Sequence, residues 1–399
     1  MTNNVLLRGV RPFGQGLTDM LIRDGRIVRI APKLPIEQGV EEELCGGTIL
    51  LPGLVEAHTH LDKSLWGMGW REHQAGPGLR DKIDTERRLR KEWDIDPHRQ
   101  SMRQALLSLG HGSTAIRSHV DVDTEVGLAG IEGVARTRDE LSGLVEIEIV
   151  AFPQSGLMSR PGTLELLDEA LRGPADVVGG LDPCGMDADP KGQLDAIFEL
   201  ADRHGKPLDI HLHEPGELGV FSMEMILERT LAMGMQGRVT ISHAFCLGMP
   251  DRDRVRALLQ ALAEAQIHIA TVATPSRPVP LVEDLRAAGV TLCAGSDGIR
   301  DTWGPYGNAD MLERAMLLGL RNNLRADRDI EHALWCCSWG GAKVMGLEDY
   351  GLDEGCRADL VLVDAETVTH AVVSHPPRKL VLKGGSIVAR DGQSLREAP

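Results

Sequence analysis

At 399 residues the chain is too long for one small core, and 42% apolar with 26% charged residues excludes wholesale disorder. A formal net charge of −16 excludes nucleic acid or an anionic membrane as the main partner, because both need a cationic face. Seven cysteines without a CxxC pair exclude a zinc ribbon or a thioredoxin-type redox motif, and the adjacent Cys336 and Cys337 read as reduced, buried thiols.

The N-terminal "MTNNVLLRGV" lacks a basic stretch followed by a long apolar core, and no apolar run approaches membrane-spanning length. Cytoplasmic residence is the expectation. Residues 4–31 read as short strands broken by glycine turns, and residues 356–392 read the same way. A small sheet built from both termini is the simplest account. Between them, β-branched runs recur at Val55–His60, Ser113–Asp121, Glu146–Gln154, Asp176–Asp182, Leu208–Glu214, Val239–Phe245, Ile267–Ala273 and Thr291–Asp297. Amphipathic stretches such as "LELLDEALR" and "QLDAIFELADRHG" separate them, several ending at glycine. Eight strands alternating with helices predict an α/β fold of the parallel-barrel type.

Polar residues fall at the C-terminal ends of these strands: His58 and His60, His119 and Asp121, Gln154, Asp182, His211 and Glu214, His243, and Asp297. In a barrel those ends converge on one mouth, where active sites are built. His58 and His60, two apart on a strand, share a face and present two imidazoles to one point. An HxH pair by itself is more often structural. Further imidazoles and a carboxylate from later strands turn the pattern into a candidate site for Zn²⁺ or Fe²⁺.

"PGLVEAHTHLD", "DIHLHE", "ISHAF" and "GSD" resemble the metal-ligand strands of the amidohydrolase superfamily. "IRSHVDVD", "IVAFPQSGL" and "SDGIRDTWGPYGNADML" resemble its branch of cytosine deaminase-like enzymes that deaminate heterocycles. The resemblance implies a distorted (β/α)8 barrel over residues 53–349. It also implies a small β-sandwich domain from residues 1–52 and 350–399. It implies one divalent metal ion per subunit, zinc or iron, held by His58, His60, His211 and Asp297. His213 shares a face with His211 and reads as a packed or orienting histidine. Strand four, "DVVGGLDPCGMD", lacks the lysine of binuclear members, which predicts a single-metal site. Lys63 reads as a surface or loop lysine.

The expected chemistry is hydrolytic deamination of an amino-substituted N-heterocycle, such as a cytosine-like base, isocytosine, an aminotriazine or a pterin, to the oxo compound. Asp297 would accept a proton from attacking water, Glu214 would protonate the ring nitrogen and the departing amine, and His243 would polarise the attacked centre. Gln154 is expected to read the cyclic amide, and Trp303 to pack near the ring. His119 and Asp121 would orient ligands. In cytosine deaminase an aspartate follows the metal aspartate; here that position is Gly298, which leaves room for a different ring, with Arg300 and Asp301 as neighbours. A cyclic-amide hydrolase of the hydantoinase or dihydroorotase type is the alternative, and a non-catalytic binding barrel a more distant one. The expected partner is a small heterocyclic substrate, within a homo-oligomer.

Overall fold

A computed structural model describes residues 4–398. Eight parallel strands follow one another around a barrel: β1 (Leu54–Thr59), β2 (Ser113–Asp121), β3 (Glu146–Phe152), β4 (Val177–Leu181), β5 (Leu208–His211), β6 (Val239–Ser242), β7 (His268–Thr271) and β8 (Leu292–Ala294). The join between last and first is narrow. A parallel bridge links Thr59 to Asp297, and the Asp297 amide donates to the His58 carbonyl at 2.9 Å. Gly295 lets the backbones come this close, since a Cβ there would meet the His58 carbonyl oxygen at 2.4 Å.

The period of two sorts the residues of each strand. Ile116 and Val120 of β2, Ile147 and Ile149 of β3, Ile210, Ile241 and Ile269 face outwards into one core shared with the surrounding helices. That core takes Leu194, Phe198, Ile226, Leu258 and Leu262 from the helices, which cover it through their own apolar stripes. Alternate positions point inwards and are polar: Glu56 and His58, Arg117 and His119, Glu148, Asp209 and His211. All but the half-buried Glu148 are buried.

The chain ends pair with each other. The N-terminal strands Val5–Pro12, Thr18–Arg23, Arg26–Ala31, Glu41–Leu44 and Ile49–Pro52 join the C-terminal strands Leu360–Val363, Arg378–Lys383, Ser386–Arg390 and Gln393–Ser394. The seam runs antiparallel, with Leu51 opposite Val361 and Leu50 opposite Leu362. Val5, Leu7, Met20, Ile22, Leu50, Leu360 and Leu382 fill a separate core. Ile49–Pro52 leads through Gly53 directly into β1, so the joint terminal sheet holds the start of the strand that carries His58. Among the described residues no helix is long and apolar enough to cross a membrane, and all seven cysteines are free.

Several strands end sooner than their apolar runs. β5 stops at His211 rather than Glu214, and β8 at Ala294 rather than Asp297. Past those ends the backbone turns sharply. Asp182, His243 and Asp297, which follow β4, β6 and β8, adopt left-handed φ values of 36°, 69° and 62°. Such conformations are rare outside glycine and gather at functional sites.

Candidate active site

Imidazoles gather at the C-terminal mouth. The rings of His58 and His211 lie 4.7 Å apart between centroids, those of His58 and His243 4.9 Å, and those of His58 and His60 5.8 Å. His60 Nε2 is 3.1 Å from Asp297 Oδ1, and His58 Nε2 is 3.7 Å from the same oxygen. Potential ligand atoms of His58, His60 and Asp297 lie within 4.8 Å of one another, as do those of His58, His211 and His243.

Hydrogen bonds on the far side of two rings fix which nitrogen faces the centre. The His60 Nδ1 lies 3.0 Å from the His119 carbonyl oxygen, an acceptor only, so Nδ1 carries the proton. Its Nε2 lone pair therefore points at the Asp297 carboxylate, an opposition that a cation between them relieves. For His58 the partner is the Ser242 hydroxyl, 3.0 Å from Nδ1. That hydroxyl donates to Asp209 Oδ1 at 2.6 Å, and Asp209 Oδ2 accepts from the buried Arg117 guanidinium at 3.0 Å. Arg117, Asp209 and Ser242 thus form a chain that leaves His58 Nε2 unprotonated and aimed at the centre. The buried His58 Nε2 and both ring nitrogens of His211 and His243 have no hydrogen-bond partner among the described residues. Burial, reinforced by the neighbouring imidazoles, pushes His211 and His243 well below the usual histidine range, so both rings are neutral at pH 7 and keep a lone pair. Neutral imidazole lone pairs gathered around the Asp297 carboxylate fit a divalent cation. Ser242→Ala should weaken zinc binding by about 10- to 100-fold and Ser242→Thr should restore it, read by competition against a chromogenic chelator. Equal affinity in all three proteins would remove the chain from ligand positioning.

Above this cluster lies a small cavity lined by His60, Lys63, Phe152, Gln154, Leu181, His211, His213, Asp297, Asp301 and Trp303. Gln154 and Trp303, singled out from sequence, both reach its wall. The Trp303 indole nitrogen is buried and has no partner among the described residues. His213 is half-buried on the same wall, its Nδ1 2.8 Å from Asp182 Oδ2. Glu214 is turned elsewhere: its carboxylate accepts from the Cys184 and Gly185 amides at 2.8 and 2.7 Å and from the Ser222 hydroxyl. Burial raises its pKa above the ordinary carboxyl value.

Lys63 corrects the sequence reading. Expected as a surface or loop lysine, it is 3% exposed and sits on the cavity wall. Its ammonium donates to Asp121 at 2.9 and 3.0 Å, to Gln154 Oε1 at 2.9 Å and to Glu86 at 3.5 Å. Burial lowers the Lys63 pKa, but the Asp121, Glu86 and Asp62 carboxylates outweigh it and raise the value overall. Arg90 joins the same group through Asp62, Asp121 and Glu86. Glu86 and Arg90 belong to the helix Leu79–Glu92, so these ion pairs clamp the segment after β1 over the mouth. Lys63, Ser242 and Asp209 escape sequence reasoning because their partners come from distant segments. A lysine three residues past an HxH pair was the one local signal.

An eight-stranded parallel barrel with imidazoles and a carboxylate gathered at its C-terminal mouth defines a barrel hydrolase with a metal-type centre. More narrowly, the chain belongs to the amidohydrolases: the Amidohydrolase family model matches residues 45–389. It is 32% identical over 379 residues to the N-isopropylammelide isopropyl amidohydrolase of Pseudomonas sp. (strain ADP), covering 94% of each chain. It superposes on the crystal structure of N-isopropylammelide isopropylaminohydrolase from Burkholderia multivorans with a TM-score of 0.96 at 49% identity, covering 99% of this chain and 100% of that one. It is also similar to 5-methylcytosine deaminase from Klebsiella pneumoniae, with a TM-score of 0.85 at 26% identity and coverage of 99% and 98%.

Proposed function

We propose that this chain hydrolyses the bond between an N-heterocyclic carbon and its amino substituent, giving the ring carbonyl and a free amine. The preferred substrate class is an oxo-substituted aminotriazine whose leaving group is a small alkylamine. The observation that supports the reaction class is a pair of overlapping ligand groups, His58–His60–Asp297 and His58–His211–His243, beside a cavity lined by His60, His211 and Asp297. The substrate class is supported by similarity to the two N-isopropylammelide hydrolases.

His58, His60, His211 and Asp297 would hold one divalent ion, zinc or iron. Such an ion, when bound, supplies a Lewis acid that activates water near neutral pH. Asp297 Oδ2 takes the proton of the attacking water, and His243 stands beside the attacked carbon to polarise it. Proton delivery to the ring nitrogen and then to the departing amine falls to Glu214. Its raised pKa favours that role, which requires its carboxyl to swing from the Cys184 and Gly185 amides into the cavity. Water's oxygen forms the new C–O bond, the C–N bond breaks, and the amine leaves with the transferred proton. The unpartnered Trp303 indole N–H is a donor suited to a ring oxygen, which favours a ring already carrying an oxo group.

Metal-quantified protein should be offered N-alkylated ammelide, cytosine and a pterin, with released amine and ammonia both measured. The expected result is alkylamine and an oxo-triazine from the first, with one metal per chain. Ring opening of a cyclic amide without amine release would replace this reading with the cyclic-amide hydrolase.

A further inference from the structure

Gly298 follows Asp297 directly and has no side chain to offer the cavity. The space its side chain would take is filled from three residues along. A Cβ built on Gly298 would lie 1.9 Å from Asp301 Oδ2 and 2.8 Å from Asp301 Cγ. The carboxylate is not free to move aside, because its other oxygen is pinned. Oδ1 accepts from the Trp303 amide at 2.8 Å and the Gly304 amide at 2.9 Å, while the Asp301 amide donates back to the Gly304 carbonyl at 3.1 Å. These bonds close a tight turn and fix the carboxylate's direction. Oδ2 has no hydrogen-bond partner among the described residues, and Asp301 lines the same cavity as Gln154, Lys63 and Trp303.

Lys63 and Gln154 on the cavity wall are bonded to each other and to Glu86 and Asp121, so the free donor there is the Trp303 indole. Asp301 Oδ2 is a fixed carboxyl acceptor, in the same cavity as the aspartate at the proposed metal centre. A carboxylate oxygen held this way is matched by an N–H on a ring. We propose that Asp301 Oδ2 is a specificity-determining acceptor that reads a ring N–H of the substrate, and that Gly298 exists to make room for it. This rests on the heterocycle-hydrolase reading above and narrows it to rings carrying an N–H beside their carbonyls. Positions 298 and 301 then compete for one space: an aspartate fits at either, but not at both.

The test uses the metal-loaded full chain and two kinds of readout. Binding is measured by calorimetry with cyanuric acid, an oxo-triazine with ring N–H groups, and with its N-trimethyl derivative, which has none. Turnover is measured on N-alkylated ammelide. Asp301→Asn keeps the oxygen that closes the turn and should leave metal content and thermal midpoint unchanged. It should weaken cyanuric acid binding by about 10- to 100-fold, the effect of losing a hydrogen bond to a charged group. The trimethyl derivative, bound more weakly than its parent by the wild type, should bind equally to both proteins. On turnover the loss should appear mainly in KM. Gly298→Asp alone should also lose binding, and the double variant Gly298→Asp with Asp301→Gly should regain most of it.

Cyanuric acid affinity within twofold of wild type in Asp301→Asn overturns the proposal, even where turnover confirms the enzyme. Weakened binding in a protein that turns over no amino-heterocycle keeps Asp301 as an N–H acceptor and overturns only the reaction. If wild type neither binds cyanuric acid nor turns over the triazine, both readings fall.

Discussion

Replacing Asp297 with asparagine is expected to lower kcat by about 10²- to 10⁴-fold, the range for losing a positioned general base. Asparagine is the informative choice. Asp297 sits at φ 62°, a conformation asparagine tolerates well among the non-glycine residues. The backbone bond from the residue 297 amide to the His58 carbonyl therefore survives, and with it the join between β8 and β1. Asparagine also keeps Oδ1 near His60. What it removes is the negative charge and the capacity to take a proton. Steady-state turnover alongside metal analysis separates those losses from collapse of the centre. Activity within tenfold of wild type, with metal retained, would take Asp297 out of the chemistry.

Lys63→Met is expected to cost about 3–5 kcal/mol of stability, the usual penalty for removing one partner of a buried ion pair. Methionine has about the same length but leaves Asp121 and Glu86 facing each other with less compensation. Burial already raises the Asp121 pKa, opposed by the Lys63 charge. Without Lys63 it should rise further, so the folded variant binds a proton that the unfolded chain releases near pH 4. A carboxyl raised in this way loses its stabilising contribution as pH climbs through the folded-state value. The deficit against wild type should therefore be smaller at pH 5 than at pH 8. Urea titrations at both pH values check this, and a uniform loss below 1 kcal/mol would mean that Lys63 is solvated.

The barrel was legible in the sequence because each strand repeats a simple rule. Ile147 and Ile149 alternate with Glu148 as a half-polar barrel wall requires, and amphipathic helices fall between the runs. The histidine positions were legible because HxH on a strand commits two rings to one face. Strand ends were less so. Leu208–Glu214 reads as one run, yet the ladder stops at His211, where neighbouring chains begin to turn away. Lys63 was misread for a different reason. Its burial depends on Glu86 from a helix and Asp121 from β2, and charge pairing across such separations leaves no mark on local pattern. Asp301 shows the same limit. Its distance along the chain from Gly298 is short, but only the turn through Trp303 and Gly304 folds its carboxylate back over that glycine.

The meeting of Thr59 with Asp297 spans 238 positions, and it is both the last joint of the barrel and one edge of the imidazole cluster. Of the four residues proposed to hold an ion, His58, His60 and His211 all precede residue 297, and the carboxylate alone is placed by this closing joint. A product cut short before residue 291 would have most of the mass of the barrel and none of its hydrolytic power.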